Sequence, residues 1–138
     1  MPDLVIDASI ALAWALPDES SAYAMTALAA VEHSTIYVPT LWAYEVANGL
    51  VIASRRQRIK PADVQVFAAA LSRLRLRVAR PDTNDILCNG TVSALRLGLT
   101  AYDGAYVDLA LEQRISLATL DTRMREAAAA AGVVVFVG

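Results

Sequence analysis

Leu4-Val5-Ile6-Asp7-Ala8-Ser9 opens the chain with three apolar β-formers, a carboxylate, and the start of a helical pattern over residues 9–16. A run this short, apolar at every position, is covered on both faces, as strands of a parallel sheet are. The same grammar returns near the other end, where Ile115-Ser116-Leu117-Ala118-Thr119-Leu120 runs into Asp121 and then into a helical pattern over 122–131. Working outward from these two stretches, the remaining strand candidates are 35–38, a weak one at 76–79, and 133–137. Helical patterns fill the gaps at 19–31, 40–55, 61–73, 83–97 and 102–113. Pro17-Asp18, Pro39, Gly98 and Gly132 punctuate them, and Pro61 suits the first position of a helix. Strands separated by helices require crossovers, so the expected fold is α/β, a mostly parallel sheet flanked by helices.

The 138 residues fit one domain, and 57% apolar against 19% charged residues marks a globular chain with apolar surface to spare for a homodimer or a partner. The excess is expected on helices 9–31 and 40–53. No apolar run approaches the ~18 residues of a membrane span, and Met1-Pro2-Asp3 lacks a basic leader, so a cytoplasmic protein is expected. A single cysteine, Cys88, and a single histidine, His33, exclude a disulfide, a Cys/His zinc cage and a histidine-based nucleophilic site. Cys88 reads as a core thiol and His33 as a loop-proximal residue. Charge is segregated: residues 1–54 hold six acids and no base, whereas all twelve arginines and lysines follow. The clusters Arg55-Arg56-Gln57-Arg58-Ile59-Lys60 and Arg73, Arg75, Arg77, Arg80 suit either a phosphate track beside an acidic pocket or solvated helix ends.

Four carboxylates stand out. Asp7 and Asp121 fall where strands hand over to helices, the usual place for ligands in such sheets, although Asp is equally at home there as an N-cap. Asp103 follows Thr100 by three residues, a capping-box spacing. Glu45 is the one charge in Leu41-Trp42-Ala43-Tyr44-Glu45-Val46-Ala47-Asn48-Gly49-Leu50-Val51-Ile52-Ala53, so its helix must bury or half-bury it, a costly act for an unpaired carboxylate. Asn48, three residues on, shares its face. Oxygen donors without thiolate or imidazole select hard Mg²⁺, with Mn²⁺ as a substitute, and ions held by few carboxylates commonly serve phosphate chemistry. No phosphate-binding glycine loop of either common type occurs, Lys60 is badly placed for a receiver domain, and Ser9 stands where a haloacid-dehalogenase-like phosphatase needs its second aspartate.

Val5-Ile6-Asp7-Ala8-Ser9, Glu45-Val46-Ala47-Asn48, Leu99-Thr100-Ala101-Tyr102-Asp103-Gly104-Ala105-Tyr106 and Leu117-Ala118-Thr119-Leu120-Asp121, in this order, resemble the PIN-domain family, most closely the VapC toxins of bacterial toxin–antitoxin pairs. The resemblance covers essentially the whole chain. It implies a three-layer fold around a five-stranded parallel sheet of order 3-2-1-4-5, an Mg²⁺ site, endoribonuclease activity on RNA, and a cognate VapB-like antitoxin. Asp7, Glu45, Asp103 and Asp121 take the family's acidic, metal-holding positions. Ser9 and Thr119 adjoin them as candidates for orienting carboxylates, with local capping as the alternative. Asp108 and Glu112 read as an exposed stripe, and the tryptophans and tyrosines as base-stacking or packing groups. The rival functions are a structure-specific DNA nuclease and a non-catalytic PIN-fold module that binds RNA or protein.

Overall fold

The computed structural model describes residues 3–137; Met1 and Pro2 of the start read for a leader lie outside them. Strand β1 (Leu4–Ile6) is buried along its whole length and sits inside a parallel sheet of order β3-β2-β1-β4, between β2 (Ile36–Pro39) and β4 (Ser116–Ala118), with β3 (Leu76–Ala79) on one edge. Register follows from Leu4 opposite Ile36 and Ser116, and Ile36 opposite Leu76. The expected fifth strand is present only in outline. Leu117 and Val135 form an isolated parallel bridge, through Leu117 N–H to Val134 O and Phe136 N–H to Leu117 O. Two hydrogen bonds are too few to make a ladder, so the sheet counts four strands.

Between them run α1 (Ala8–Ala15), a 3₁₀ turn (Pro17–Glu19), α2 (Ala22–Val31), α3 (Leu41–Arg55), α4 (Pro61–Leu71), α7 (Ala101–Gln113) and α8 (Thr122–Ala130). The helical run 83–97 is α5 (Thr83–Asp85), a π-helical turn (Ile86–Gly90) and α6 (Thr91–Leu97). The expected helix over 19–31 begins later, because Ser21 accepts from Ala24 N–H and caps α2, leaving Pro17 to close the 3₁₀ turn. Helix α7 packs on β1, β2 and β4, and its Tyr106, Val107 and Ala110 are buried with Ile6, Ile10, Ile36, Leu117 and Met124. Helices α1 and α3 cross so closely that a Cβ on Gly49 would lie 2.5 Å from Leu12 Cδ1.

Connections step outward from β1 to β2 to β3, then return across to β4 on the other side of β1. The strand order therefore reverses beside β1, and the carboxyl ends of β1 and β4 open on the crevice where α/β sheets bind ligands.

Apolar surface lies only partly on helices 9–31 and 40–53, where the sequence places it. Helix α1 is absorbed by the monomer, its Ile10, Ala11 and Ala13 being buried. Exposed apolar side chains include Ile86, Leu87, Val92 and Leu95 on the 83–97 run, with Tyr44, Val51 and Ile52 on α3 and Met25 on α2. Cys88 is exposed, not a core thiol, because it belongs to that run, and its Sγ–H reaches Asn84 Oδ1 at 3.6 Å. Among the described residues no helix is long and apolar enough to cross a membrane.

Candidate active site

Asp7 follows β1 and caps α1, the residue being 4% exposed. Its Oδ1 accepts from Ile10 N–H at 3.2 Å and from the Ser9 hydroxyl at 2.6 Å, and its Oδ2 accepts from the Thr119 hydroxyl. Neither hydroxyl has a choice of direction. Ser9 Oγ accepts from Leu120 N–H at 3.1 Å and Thr119 Oγ1 from Asp121 N–H at 2.9 Å, so each turns its own hydrogen toward Asp7. The turn after β4 is thereby tied to the end of β1, and Ser9 and Thr119 both orient the aspartate.

Asp121 caps α8, its Oδ1 accepting from Arg123 N–H and Met124 N–H; among the described residues its Oδ2 is bonded to no donor. Asp103 sits in the first turn of α7, whose cap Thr100 accepts from Asp103 N–H at 3.1 Å. Glu45 projects half-buried from α3 and its Oε1 accepts from the Tyr106 hydroxyl of α7. Capping and clustering are thus compatible uses of one side chain: an aspartate spends one oxygen on the helix and keeps the other for the crevice.

The four acids share an electrostatic environment. Burial pushes the Asp7 carboxyl up to about 6 against the pull of Ser9, Thr119 and Ile10, and the charge of Asp121 adds to the rise. Glu45 is raised by burial and then by the charge of Asp103, with Tyr106 opposing. Asp103 is raised by burial and then by the charge of Asp121, with Thr100 and Arg123 opposing. Asp7, Asp121, Asp103 and Glu45 therefore form a chain of mutually repelling charges at one end of the sheet. The Tyr106 phenol, 1% exposed, is pushed far up by burial and by Glu45, with Asp7 and Asp103 contributing, and stays a hydrogen-bond donor throughout the physiological range.

Chemically, this donor set suits a hard divalent cation: acceptor-only oxygens, mutual repulsion, and free oxygens on Glu45 and Asp121. Among the described residues no three acidic, histidine or cysteine side chains already converge on one point. Asp7 is fixed by three hydrogen bonds, Asp121 by two and Glu45 by one.

A PIN domain family model matches residues 4–130 of this chain, nearly its whole length. The chain belongs to the PIN-domain family. Ribonuclease VapC3 of Pyrobaculum aerophilum is 32% identical over 123 residues, covering 89% of this chain and 92% of that protein. Among solved structures, PAE2754 from Pyrobaculum aerophilum superposes with a TM-score of 0.69 at 21% identity, covering 91% of this chain and 84% of that one. FitAcB from Neisseria gonorrhoeae gives 0.61 at 18% identity, covering 97% and 96%. At those identities the two structures speak for the fold of this PIN domain, a parallel sheet flanked by helices.

Three residues of the site escape a reading by motif. Tyr106 takes the place expected of Asn48, which is exposed and makes no hydrogen bond to Glu45 among the described residues. Its signal was the i,i+3 spacing from Asp103. Arg123, two residues past Asp121, pulls against the raised Asp103 and is anchored by Nη2–H to Gly98 O at 3.0 Å, in the turn where Gly98 takes φ +68°. Arg125 donates to Thr119 O at 2.7 Å and lies 4.7 Å above the Tyr23 ring, bracing the turn that holds Thr119. Asp108 is no exposed stripe residue: it is half-buried and accepts from the Ser93 hydroxyl across α6 and α7. The Arg55–Lys60 cluster stands away from the acids. Ten residues of α3 separate Arg55 from Glu45, about 15 Å along the axis, and Arg58 is bound by Asp18 and Glu19.

Proposed function

We propose that this PIN domain is a Mg²⁺-dependent endoribonuclease, the toxin of a VapBC-type pair, hydrolysing RNA phosphodiester bonds at Asp7, Glu45, Asp103 and Asp121. The observation that carries the reading is the chain of four neighbouring carboxylates at the topological switch point, three of them with raised proton affinity and none in a salt bridge among the described residues. Groups so placed lower their energy by sharing a cation. The family and the ribonuclease relative support RNA hydrolysis over other phosphate chemistry.

Asp7 is the preset ligand, oriented by Ser9 and Thr119. Glu45 from α3, with Asp103 and Asp121 from the starts of α7 and α8, would complete the ligand set. Mn²⁺ is the natural substitute for such an all-oxygen set. When bound, the ion supplies charge neutralisation at the phosphoryl group and acidifies water to yield the nucleophile. Arg123 lies on the approach to these acids, and with one N–H spent on Gly98 it keeps others for an RNA phosphate. The exposed Ile86, Leu87, Val92 and Leu95 supply apolar surface for a homodimer, and a VapB-like antitoxin would inhibit by presenting Arg or Lys to the carboxylates. The cytoplasm, where RNA and antitoxin are made, is the place for such a pair.

The purified protein, freed of any partner, is to be assayed on RNA and DNA with Mg²⁺, Mn²⁺ or EDTA. RNA cleavage restored by either ion and abolished by EDTA is the expected result. Binding without turnover in every condition would leave a non-catalytic module, and cleavage of DNA junctions alone would leave a DNA nuclease.

A further inference from the structure

Tyr106 is buried in the core at 1% exposure, three residues after Asp103 on α7, and its hydroxyl crosses to Glu45 Oε1 on α3. Glu45 is a flexible side chain and the one charge in residues 41–53 of α3, and the neighbouring charge of Asp103 pushes it away from the other acids. A glutamate free to rotate would relieve that repulsion by swinging toward solvent. Tyr106 has only two side-chain torsions, both set by packing against the core, so its oxygen is a fixed point. Tying Oε1 to that point holds Glu45 in the crevice and leaves Oε2, which no donor occupies among the described residues, as its outward atom. The same helix thus carries one acid and the hydroxyl that aims another.

We propose that Tyr106 is a positioning residue of the carboxylate site: its hydroxyl binds Glu45 Oε1 and presents Oε2, as a single-oxygen ligand, to a divalent cation. The proposal rests on the metal-dependent reading above, and its test separates the two. A buried phenol also needs a partner for its own sake. That purely structural role would change melting temperature and leave ion affinity alone.

The experiment is a Mn²⁺ titration, by calorimetry or electron paramagnetic resonance, of the parent, Tyr106→Phe, Glu45→Gln and the double variant, with metal-free melting curves alongside. Tyr106→Phe is expected to weaken Mn²⁺ binding by about 10- to 100-fold, as loss of a ligand-orienting partner does, and to lower kcat on RNA with little change in KM. Glu45→Gln supplies the sharper reading. With Tyr106 in place, the glutamine carbonyl accepts from the phenol and its NH₂ faces the ion. Removing the hydroxyl frees the amide to turn its carbonyl outward, so the double variant is expected to bind Mn²⁺ more tightly than Glu45→Gln alone. Parent-like Mn²⁺ affinity in a folded Tyr106→Phe, or a double variant no tighter than Glu45→Gln, would overturn the proposal. Parent-like affinity in Glu45→Gln would instead sink the metal assignment of Glu45 itself. Should Tyr106→Phe not fold, ¹⁹F spectra of the parent carrying 3-fluorotyrosine decide. The Tyr106 signal is expected to move on adding Mn²⁺ in the parent and to stay still in Glu45→Gln, and a signal indifferent to the ion in the parent would count against the proposal.

Discussion

The two charged ends of α3 invite comparison. At its start Glu45 joins Asp7, Asp103 and Asp121, like charges drawn together, half or fully buried, and restrained by the neutral hydroxyls of Ser9, Thr119 and Tyr106. Beyond its far end Arg58 meets Asp18 and Glu19, opposite charges in open solvent, Nη2 lying 2.9 Å from Asp18 Oδ2 and 3.3 Å from Glu19 Oε1. The second arrangement satisfies itself, and the Asp18 carboxyl is held below its ordinary range by Arg58. The first is in no salt bridge among the described residues. Unneutralised like charge kept in place by uncharged donors is therefore the better guide to function than the density of charge, which is higher at the basic end.

The largest test of this contrast is Asp7→Asn. Asparagine caps a helix about as well as aspartate, so the fold should persist. RNA cleavage is expected to fall by about 10²–10³-fold or more, in the range of losing one preorganised electrostatic group, and the thermal shift on adding Mg²⁺ should shrink with it. Full cleavage by this variant would return Asp7 to capping alone, and Asp121→Asn reads the same alternative at α8.

Next in size comes the pH dependence of the metal-free protein. Asp7 has its proton affinity raised on folding, from 3.8 to about 6. The folded state therefore binds more protons than the unfolded one inside that window, and the group's contribution, full below pH 3.8, is lost as pH rises through 6. The loss is of order 3 kcal/mol. Glu45 and Asp103 shift in the same direction. Melting curves of parent and Asp7→Asn from pH 4 to 7 should diverge, the variant gaining on the parent as pH rises. Parallel curves would mean that Asp7 is not destabilised by its surroundings.

Smaller effects follow on the basic side. Arg123→Gln is expected to weaken RNA binding and to reduce the slope of log affinity against log salt by about one, while Arg55→Gln and Arg56→Gln leave both unchanged. The reverse pattern would move the phosphate track to the far end of α3. Smallest of all is Arg58→Ala, whose partners are exposed and screened. Melting temperature, Mn²⁺ affinity and cleavage should barely move, and a clear loss of any of them would give the salt bridge a role it lacks in this account.

Much of this molecule is written in local pattern. Wholly apolar Leu4-Val5-Ile6 specifies a strand covered on both faces, the breakers Pro17, Pro39, Gly98 and Gly132 mark element boundaries, and Asp7, Asp103 and Asp121 announce themselves at element junctions because caps and ligands need the same short acidic side chain there. Glu45 is legible for a different reason, as the lone charge in the mostly apolar stretch 41–53. Only the tertiary structure decided the rest, because those questions turn on distances between residues far apart in sequence. The fifth strand shrank to one bridge because pairing depends on its neighbour β4. The apolar surface expected on α1 is covered by α3, while more of it is exposed on the 83–97 run than the sequence foretold. Tyr106, 61 residues from Glu45, became its partner in place of Asn48, and Thr119, 112 residues from Asp7, became a donor to it. A hydroxyl or a ring carries no mark in sequence that distinguishes packing from positioning; the difference lies in which carboxylate stands opposite, and the crossing of strands and helices settles that.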